Sequence, residues 1–200
     1  MNKPGFEFWF DFASTYSYLS VCRIEDLARK EGISIEWKPF LLGPIFNSQG
    51  WDTSPFNIYK AKGEYMWRDV ARQSKKFEIP FNNPSQFPRN GLLAARVALA
   101  SQSEDWCPEF ISRVFSANFV EDKDIADEEV IASILNSLGM DALRIIAQAK
   151  SQDSKDELRL QTQLAADKGI FGAPSFVIGK EIFWGNDRLE DAFSWYNKHK

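Results

Sequence analysis

A serine near the start of the chain, Ser14, has a position at which chemistry on an anion is possible. It follows an aromatic, strand-like segment and precedes an amphipathic one, so it falls at the first turn of a predicted helix. A serine there commonly caps the helix by accepting a hydrogen bond from a backbone N–H group, which contributes roughly 1 kcal/mol. The same turn stabilises an anion, because unpaired N–H groups and the positive end of the helix dipole meet there. The spacing leaves both interpretations open, and the hydroxyl could donate to a thiolate or to an oxygen anion.

The Ala173-Pro174 pair stands directly before a strand-like segment, residues 175–178. A proline that simply enters a strand is the commoner arrangement, since it lacks an N–H group and fixes the direction of the chain. A cis proline would instead present the carbonyl and N–H groups of Ala173 to an extended peptide. The composition favours the first interpretation and does not exclude the second.

Asn186 and Asp187 precede the last predicted helix, and Lys62 and Arg68 lie within an earlier one. Helix capping is the ordinary role of the first pair, because Asp187 and Glu190 have the spacing of a capping box. An acidic group in this position could also hold the ammonium group of a ligand. Lysine and arginine on a helix are usually solvated, although both could meet the carboxylate of a ligand.

Cysteine and histidine are scarce: the chain has two cysteines, Cys22 and Cys107, and one histidine, His199, which is next to last. These counts exclude a zinc site of Cys and His ligands and a C-x-x-C redox pair, so we expect no metal. A catalytic triad would have its base at a chain end. We predict that both cysteines are structural, with Cys22 an apolar residue of the first helix. The chemistry must therefore use other groups, or groups that the protein borrows.

The charge balance indicates which partners to exclude. With 24 basic and 28 acidic residues, the formal net charge is −4, without the basic field that nucleic acid or an anionic membrane would attract. No segment approaches the roughly 18 apolar residues of a membrane span. The opening MNKPG leads into a strand-like run and lacks the pattern of a secretory signal. We therefore expect a cytoplasmic protein with no nucleic-acid or membrane partner.

The elements that must position these residues begin with a β-α-β unit. Residues 6–12 (FEFWFDF) predict a strand buried on both faces, a helical spacing follows until Gly32, and residues 33–40 alternate like a second strand. The length of the crossover predicts parallel strands. Glycine and proline punctuate residues 41–55, which are predicted to be a loop.

Helical segments without an intervening strand come next, and a hairpin ends the series. The hairpin has strands at residues 175–178 and 181–184 around a Gly179-Lys180 turn, and a last amphipathic helix follows it. The six helical segments are residues 57–77, 90–102, 106–119, 127–138, 141–149 and 155–168.

This order of elements is typical of an α/β protein with a thioredoxin-like sheet (β-α-β … β-β-α) and an inserted all-helical subdomain. Open α/β sheets bind ligands at the carboxyl ends of their strands. We therefore expect residues 11–18, 172–175 and 185–188 to meet at one site. The predicted division is a thioredoxin-like domain in residues 1–50 and 165–200 and a helical insertion in residues 51–164.

Segments distributed over the whole chain resemble the 2-hydroxychromene-2-carboxylate isomerases and the kappa-class glutathione transferases. Both belong to the DsbA-like branch of the thioredoxin fold. The similarity is most specific near the carboxyl terminus and generic in residues 103–165. The segments that carry it are residues 10–19 (FDFASTYSYL), 62–66 (KGEYM), 87–90 (FPRN), 94–96 (AAR), 169–176 (GIFGAPSF) and 184–189 (WGNDRL).

The resemblance implies that glutathione supplies the thiol. Thiol-disulfide oxidoreductases of this fold begin the first helix with a cysteine pair, whereas this chain has Ser14 and Ser17, so dithiol exchange is excluded there. By resemblance, Ser14 hydrogen-bonds the glutathione sulfur and favours its thiolate, and Ala173 pairs its backbone with the cysteinyl part across cis-Pro174. The other implied contacts are the γ-glutamyl end at Asn186 and Asp187, a carboxylate at Lys62, a further contact at Asn57 and the second substrate at Asn90.

The physical chemistry agrees with this division of labour. A cysteine-type thiol with a pKa of about 8.5 is only a few per cent thiolate at neutral pH. Lowering that pKa by about two units requires roughly 2.7 kcal/mol, which a charge-assisted hydrogen bond and a helix N-terminus supply together. Addition of the thiolate to a conjugated carbonyl compound, rotation and departure would give a net isomerisation.

Three functions are therefore compared. The first is a glutathione-dependent isomerase of an aromatic-degradation intermediate such as 2-hydroxychromene-2-carboxylate, and the second is a kappa-like glutathione transferase or peroxidase. The third is a non-catalytic thioredoxin-fold binding protein. Thr15 stands where the family commonly has proline, and residues 49–51 (QGW) depart from its loop, which leaves the substrate open. The resemblance also implies a homodimer.

Overall fold

Residues 4–199 are described by a computed structural model, and they form a four-stranded sheet with helices around it. The strands are β1 (Phe6–Phe10), β2 (Ile35–Pro39), β3 (Ser175–Ile178) and β4 (Glu181–Trp184). Their order in the sheet is β2-β1-β3-β4. β1 and β2 are parallel as predicted, whereas β1 with β3 and β3 with β4 are antiparallel. The carboxyl ends of β1, β2 and β4 therefore meet the start of β3 at one edge.

The helices occupy the crossover, the long stretch between β2 and β3, and the end of the chain. α1 (Thr15–Glu31) connects β1 to β2 and ends at Gly32, whose φ of 64° is left-handed. α10 (Leu189–His199) follows one turn of 3₁₀ helix at Asn186–Arg188. Between β2 and β3 lie α2 (Leu42–Ser48), α3 (Pro55–Ile58), α4 (Lys60–Lys76), α5 (Leu92–Ala100), α6 (Cys107–Phe119), α7 (Glu128–Ser137), α8 (Ala142–Ala149) and α9 (Gln152–Asp167). The thioredoxin-like sheet and the inserted helical layer are confirmed.

Aromatic side chains bury β1 on both faces, as its sequence predicts. Phe8 stacks on Phe176 of β3 with a centroid distance of 5.4 Å and meets the edge of Trp37 of β2 at 5.5 Å. Trp9 points to the opposite face and packs on Phe40 at 6.0 Å. Since fully buried aromatic residues contribute several kcal/mol each, these pairs fix the central strand and thus the loop that follows it.

The predicted loop at residues 41–55 is wrong in part, because α2 and the start of α3 lie within it. Its prolines mark the beginnings of helices. Pro44 lies in the first turn of α2 and Pro55 is the first residue of α3, positions whose N–H groups need no partner within the helix. Ser54 caps α3 by accepting from the N–H group of Phe56 at 3.3 Å.

The prediction that Cys22 packs as an apolar residue of the first helix is also wrong. Cys22 is exposed, whereas Cys107 is fully buried. The buried side of α1 is formed by Leu19, Ile24 and Ala28, and Cys22 lies outside it. Helical periodicity alone did not resolve this border position.

One continuous core connects the sheet with the inserted helices. Phe10 of β1 contacts Phe115 of α6 with a centroid distance of 6.0 Å, and Tyr18 of α1 stacks on Phe119 at 5.4 Å. The division at residues 50/51 and 164/165 stays a prediction, and residues 1–3 and 200 within it lie outside the described residues. No helix in residues 4–199 is both long and apolar enough to cross a membrane.

Candidate active site

A cavity of about 1270 Å³ opens at the edge of the sheet where the carboxyl ends of β1, β2 and β4 meet. The loops after β1 and β4 and the loop before β3 form one wall, and α2, α3 and α4 form the other. Among the predicted site residues, the cavity is lined by Ser14, Lys62, Asn90, Ala173, Asn186 and Asp187. Pro174 follows a lining residue, and Asn57 lies outside the lining.

Ser14 is the N-cap of α1 and links it to the loop before β3. Its Oγ accepts a hydrogen bond from the N–H group of Ser17 at 3.1 Å and donates to the carbonyl oxygen of Ala173 at 2.9 Å. Ser14 is 9% exposed and faces the cavity at the end of a helix where N–H groups are unpaired. Capping and anion stabilisation are therefore both available to the same hydroxyl.

The hydroxyls of Thr15 and Ser17, next to Ser14, are both buried. Thr15 donates to the sulfur of Met66 at 3.2 Å, in the packing between α1 and α4. Ser17 is fully buried, and its Oγ meets no hydrogen-bonding partner among the described residues. Thr15 lines the cavity with its hydroxyl engaged by Met66, and Ser17 does not line it, so Ser14 is the serine of this turn that a ligand in the cavity meets.

The backbone at Ala173 runs along the cavity beside Ser14. The peptide bond between Ala173 and Pro174 is cis, as the resemblance implied. Gly172 precedes it, and a Cβ at that position would collide with the indole Nε1 of Trp184. The absence of a side chain at Gly172 thus lets Trp184 lie over the loop.

Asn186 and Asp187 differ in burial and in their partners. Asn186 is 4% exposed, and its Oδ1 accepts from Ser20 Oγ at 3.2 Å and from Arg23 Nη1 at 3.1 Å. Both bonds engage the oxygen, so the amide NH₂ group is left as the donor. Asp187 is exposed and pairs with Arg188 at 3.1 Å. The turn therefore offers a fixed amide donor and a solvated carboxylate to the cavity.

Lys62 of α4 is exposed at the mouth of the cavity, with Nζ 4.8 Å from the ring centroid of Tyr59. Within residues 4–199 it makes no ion pair, so its charge is available to a ligand. Asn57 is exposed, and its amide donates to Thr53 Oγ1 at 3.3 Å. Lys62 therefore lines the cavity, whereas Asn57 does not.

Asn90 reaches the cavity through a loop that Arg89 holds in place. Its Oδ1 accepts from the N–H group of Leu92 at 2.9 Å and so begins α5. Arg89 is 4% exposed and donates to the carbonyl oxygen of Asn118 at 3.1 Å. Asn118 in turn donates to the carbonyl oxygen of Phe12, which follows β1, at 3.0 Å. The Asn90 loop is therefore tied to the central strand.

Asp11 is a site residue that the sequence reasoning did not single out. Its carboxylate accepts from the N–H group of Ala13 at 2.8 Å and from that of Leu42 at 2.8 Å, while its carbonyl accepts from Ser14 N at 2.9 Å. Burial raises the pKa of the Asp11 carboxyl above its ordinary value, although both backbone hydrogen bonds act in the opposite direction. Asp11 therefore holds the Ser14 turn against α2. In the sequence, an acidic residue among the aromatic residues WFDF could have indicated its role.

An aromatic rim is the second feature that was missed. Phe171 and Trp184 are 49% and 53% exposed, line the cavity, and meet edge to face at 4.8 Å. Tyr16 also lines it and donates to Asp69 Oδ2 at 3.0 Å; burial and that carboxylate raise the pKa of Tyr16. In the sequence, the rim could have been recognised because a large aromatic residue directly precedes each of the two loop glycines, Gly172 and Gly185.

Neither cysteine belongs to the cavity. Cys107 lies within α6 and donates to the carbonyl oxygen of Ala98 at 3.4 Å, and burial raises the pKa of its thiol to about 12. Cys22 is on the exposed side of α1. A thiol in this cavity must therefore come from a ligand.

The similarity of this chain to known proteins, in sequence and in fold, covers nearly its whole length. Residues 6–195 match the family model of the DSBA-like thioredoxin domain. A 2-hydroxychromene-2-carboxylate isomerase from Sphingobium xenophagum is 30% identical over 185 residues, which cover 92% of this chain and 93% of that protein. Glutathione S-transferase kappa 2 from Caenorhabditis elegans is 27% identical over 205 residues, which cover 94% and 89%.

A solved structure of a 2-hydroxychromene-2-carboxylate isomerase has a TM-score of 0.87 at 27% identity and covers 96% of this chain and 94% of that one. The agreement therefore extends over the fold as a whole, including the sheet and the inserted helices. By its domain and by its sequence over nearly its full length, the chain belongs to the DSBA-like thioredoxin domain family and, within it, to the 2-hydroxychromene-2-carboxylate isomerase family.

Proposed function

We propose that the protein is a glutathione-dependent isomerase of a conjugated carbonyl compound from aromatic degradation, of the 2-hydroxychromene-2-carboxylate type. One observation carries the proposal: Ser14, at the N-terminus of α1, faces Ala173 in a cavity that neither Cys22 nor Cys107 lines. A helix N-terminus with a hydroxyl favours a sulfur anion. The named isomerase relative at 30% identity supports the choice of reaction.

The polar groups of the cavity fit a tripeptide that carries an ammonium group, two carboxylates and a thiol. Asp187 offers a carboxylate for the ammonium group, and Lys62 offers a cation for a carboxylate. The N–H and carbonyl groups of Ala173 match an extended peptide backbone, as in the addition of a strand. Asn186 adds an amide donor that Ser20 and Arg23 orient.

Glutathione, when bound, supplies the nucleophilic thiol that reversible addition to a conjugated carbonyl compound requires. Ser14 donates its hydroxyl hydrogen to the sulfur and thereby stabilises the anion over the neutral thiol. The dipole of α1 acts in the same direction. A shift of about two pKa units corresponds to roughly 2.7 kcal/mol, which is within reach of one charge-assisted hydrogen bond plus a helix terminus.

The rest of the cavity holds the second substrate. Phe171, Trp184 and Phe46 contribute apolar surface to the cavity, and Asn90 contributes a polar group. Aromatic surface of this kind binds a flat conjugated ring and keeps water away from the reacting atoms.

Glutathione conjugation or peroxide reduction is the second candidate function, because the kappa-class transferase relative covers 94% of this chain. It uses the same thiolate site and differs in the fate of the substrate. A reducing compartment suits both functions, since glutathione stays a thiol there, and we propose a cytoplasmic location. A homodimer is part of the same proposal.

The test combines binding with product analysis. Glutathione at saturating concentration should raise the melting temperature, since a ligand that binds only the folded state stabilises it. With 2-hydroxychromene-2-carboxylate, isomerase activity should yield the rearranged compound and unchanged glutathione, whereas a transferase would yield a stable thioether. The absence of a thermal shift and of turnover would favour the non-catalytic binding protein.

A further inference from the structure

A second cavity, of about 500 Å³, lies between α2, α5 and α9. Ile45 of α2 lines it and Phe46 lines the candidate active site, whereas Leu41, Pro44 and Leu92 line both. The two cavities therefore adjoin along α2. No part of the proposed glutathione reaction uses the second one.

The polar lining of the second cavity is cationic. Arg96 of α5 and Lys155 and Arg159 of α9 contribute three positive charges, and no aspartate or glutamate among the described residues lines it. Arg159 pairs with Asp156. Arg96 and Lys155 make no ion pair within residues 4–199. Asp156 also interacts electrostatically with Lys155, so Arg96 is the lining cation that meets no acidic group in the described part of the chain.

Arg96 is the group that most requires a partner. Its Nε is fully buried and meets no hydrogen-bond acceptor among residues 4–199. Burial lowers the pKa of this guanidinium, so the positive charge is held at a cost in free energy. Because Arg96 is partly exposed in the cavity while its Nε is buried, a ligand there meets the two Nη groups. These two groups match a carboxylate with two parallel hydrogen bonds.

Thr162 adds a second donor beside these charges. It is 6% exposed, and its Oγ1 accepts from the N–H group of Leu41 at 3.2 Å. The hydrogen of the hydroxyl meets no acceptor in the described part of the chain, so it can be donated to a ligand. The donors are therefore a guanidinium, an ammonium and a hydroxyl, which together suit an anion with more than one acceptor oxygen.

Apolar side chains also line the second cavity, among them Leu41, Ile45 and Leu158. A purely inorganic anion would leave these side chains without contacts. We propose that the second cavity binds a small carboxylate with an apolar body, whose carboxylate pairs with Arg96 and Lys155 while its body packs on these aliphatic side chains.

The test uses benzoate as the probe, measured by isothermal titration at constant ionic strength without glutathione or substrate. Benzoate should bind, and neutral benzamide should bind at least about tenfold more weakly, since it forfeits the charge-assisted hydrogen bonds. The variants Arg96→Gln and Lys155→Gln should each weaken benzoate binding by about tenfold or more. Arg144→Gln, which removes an exposed charge that lines neither cavity, should leave it unchanged.

Backbone amide chemical shifts locate the bound probe independently of any variant that folds poorly. Benzoate should shift the amides of Leu158 and Thr162 more than those of Ala173 and Asn186. No binding of benzoate, shifts confined to the candidate active site, or equal binding by both variants and the wild type would each overturn the proposal. If inorganic phosphate binds as tightly as benzoate, the proposed packing of an apolar ligand body on the aliphatic side chains is wrong. None of these readouts depends on the proposed reaction.

Discussion

The hydroxyl of Ser14 donates a hydrogen bond to the carbonyl oxygen of Ala173, 2.9 Å away and 159 residues later in the chain. This bond joins the start of α1 to the loop before β3, so the two segments of the candidate active site support each other. The same hydroxyl accepts from the N–H group of Ser17. To stabilise a sulfur anion, Ser14 must exchange Ala173 for the sulfur as its acceptor, and a charge-assisted bond favours that exchange.

Replacing Ser14 with alanine should affect stability and the bound thiol separately. Ser14→Ala removes the N-cap and should lower the free energy of unfolding by about 1 kcal/mol. It should also raise the pKa of bound glutathione, which is read as a loss of thiolate absorbance at neutral pH, and lower kcat. Retention of both the absorbance and turnover would contradict the role of Ser14.

Ser17→Ala is the matched control for Ser14→Ala. The Ser17 hydroxyl is buried and meets no partner within residues 4–199, so its removal should leave the free energy of unfolding unchanged or raise it. Its backbone N–H group still donates to Ser14, and the thiolate absorbance should persist. A loss of absorbance in both variants would mean that the first turn of α1 responds as a unit.

The sequence predicted the strands and helices that are specified by an apolar pattern or a turn within a single segment. β1 was recognisable because its apolar run is buried on both faces, and β3 and β4 because a Gly179-Lys180 turn separates them. The cis state of Ala173-Pro174 and the roles of Ser14 and Lys62 came from resemblance, since spacing alone favoured ordinary capping and solvation. Asp11 and the Phe171–Trp184 rim depend on contacts between distant segments, which periodicity does not encode.

Lys62 should contribute to glutathione binding through charge. Lys62→Gln should weaken glutathione binding by about 0.2–1 kcal/mol, because the side chain is exposed, and the loss should shrink as salt is added. Lys60→Gln is the matched control, since Lys60 is exposed on the same helix and pairs with Glu64 at 3.9 Å. Equal losses in both variants would indicate a general charge effect. Asn57→Ala should leave binding unchanged, because the cavity does not include Asn57.

A protein without cysteine should remain active if the thiol is borrowed. The double variant Cys22→Ala/Cys107→Ala removes one exposed thiol and one buried thiol, neither of which lines the cavity. We expect a stability loss of roughly 1–2 kcal/mol from the small cavity at Cys107, with the kcat of the correctly folded enzyme retained. A lower kcat in double-variant protein that is fully folded and saturated with glutathione would assign a catalytic role to one of these thiols.

Phe171 should contribute to the second substrate rather than to glutathione. It is half exposed at the rim and meets Trp184 edge to face. Because an aromatic pair contributes about 0.5–1.5 kcal/mol, Phe171→Leu should raise the KM for an aromatic substrate by roughly 2- to 12-fold. The affinity for glutathione, measured by titration without substrate, should stay the same. An unchanged KM would remove the rim from the substrate site.

Asp11 makes the stability of the site depend on pH in a defined direction. Burial raises the pKa of the folded carboxyl above the ordinary value of 3.8, so the folded state keeps its proton at pH values where the unfolded state has lost it. Since the folded state binds more protons in that window, stability falls as the pH rises from about 4 through the folded pKa. Below pH 4 both states are protonated, and above the folded pKa the full cost of the buried charge is present.

Asp11→Asn removes this titration and also one of the two acceptors that hold Ala13 and Leu42, a loss that does not vary with pH. The wild type should therefore exceed Asp11→Asn in stability by more at pH 4 than at pH 7, as urea unfolding at a series of pH values would measure. Asp105→Asn is the matched control, because it removes an exposed carboxyl and leaves the loop after β1 intact. A difference between wild type and Asp11→Asn that grows with pH would mean that the carboxylate, ionised and held by its two N–H donors, is the stable form in the folded protein.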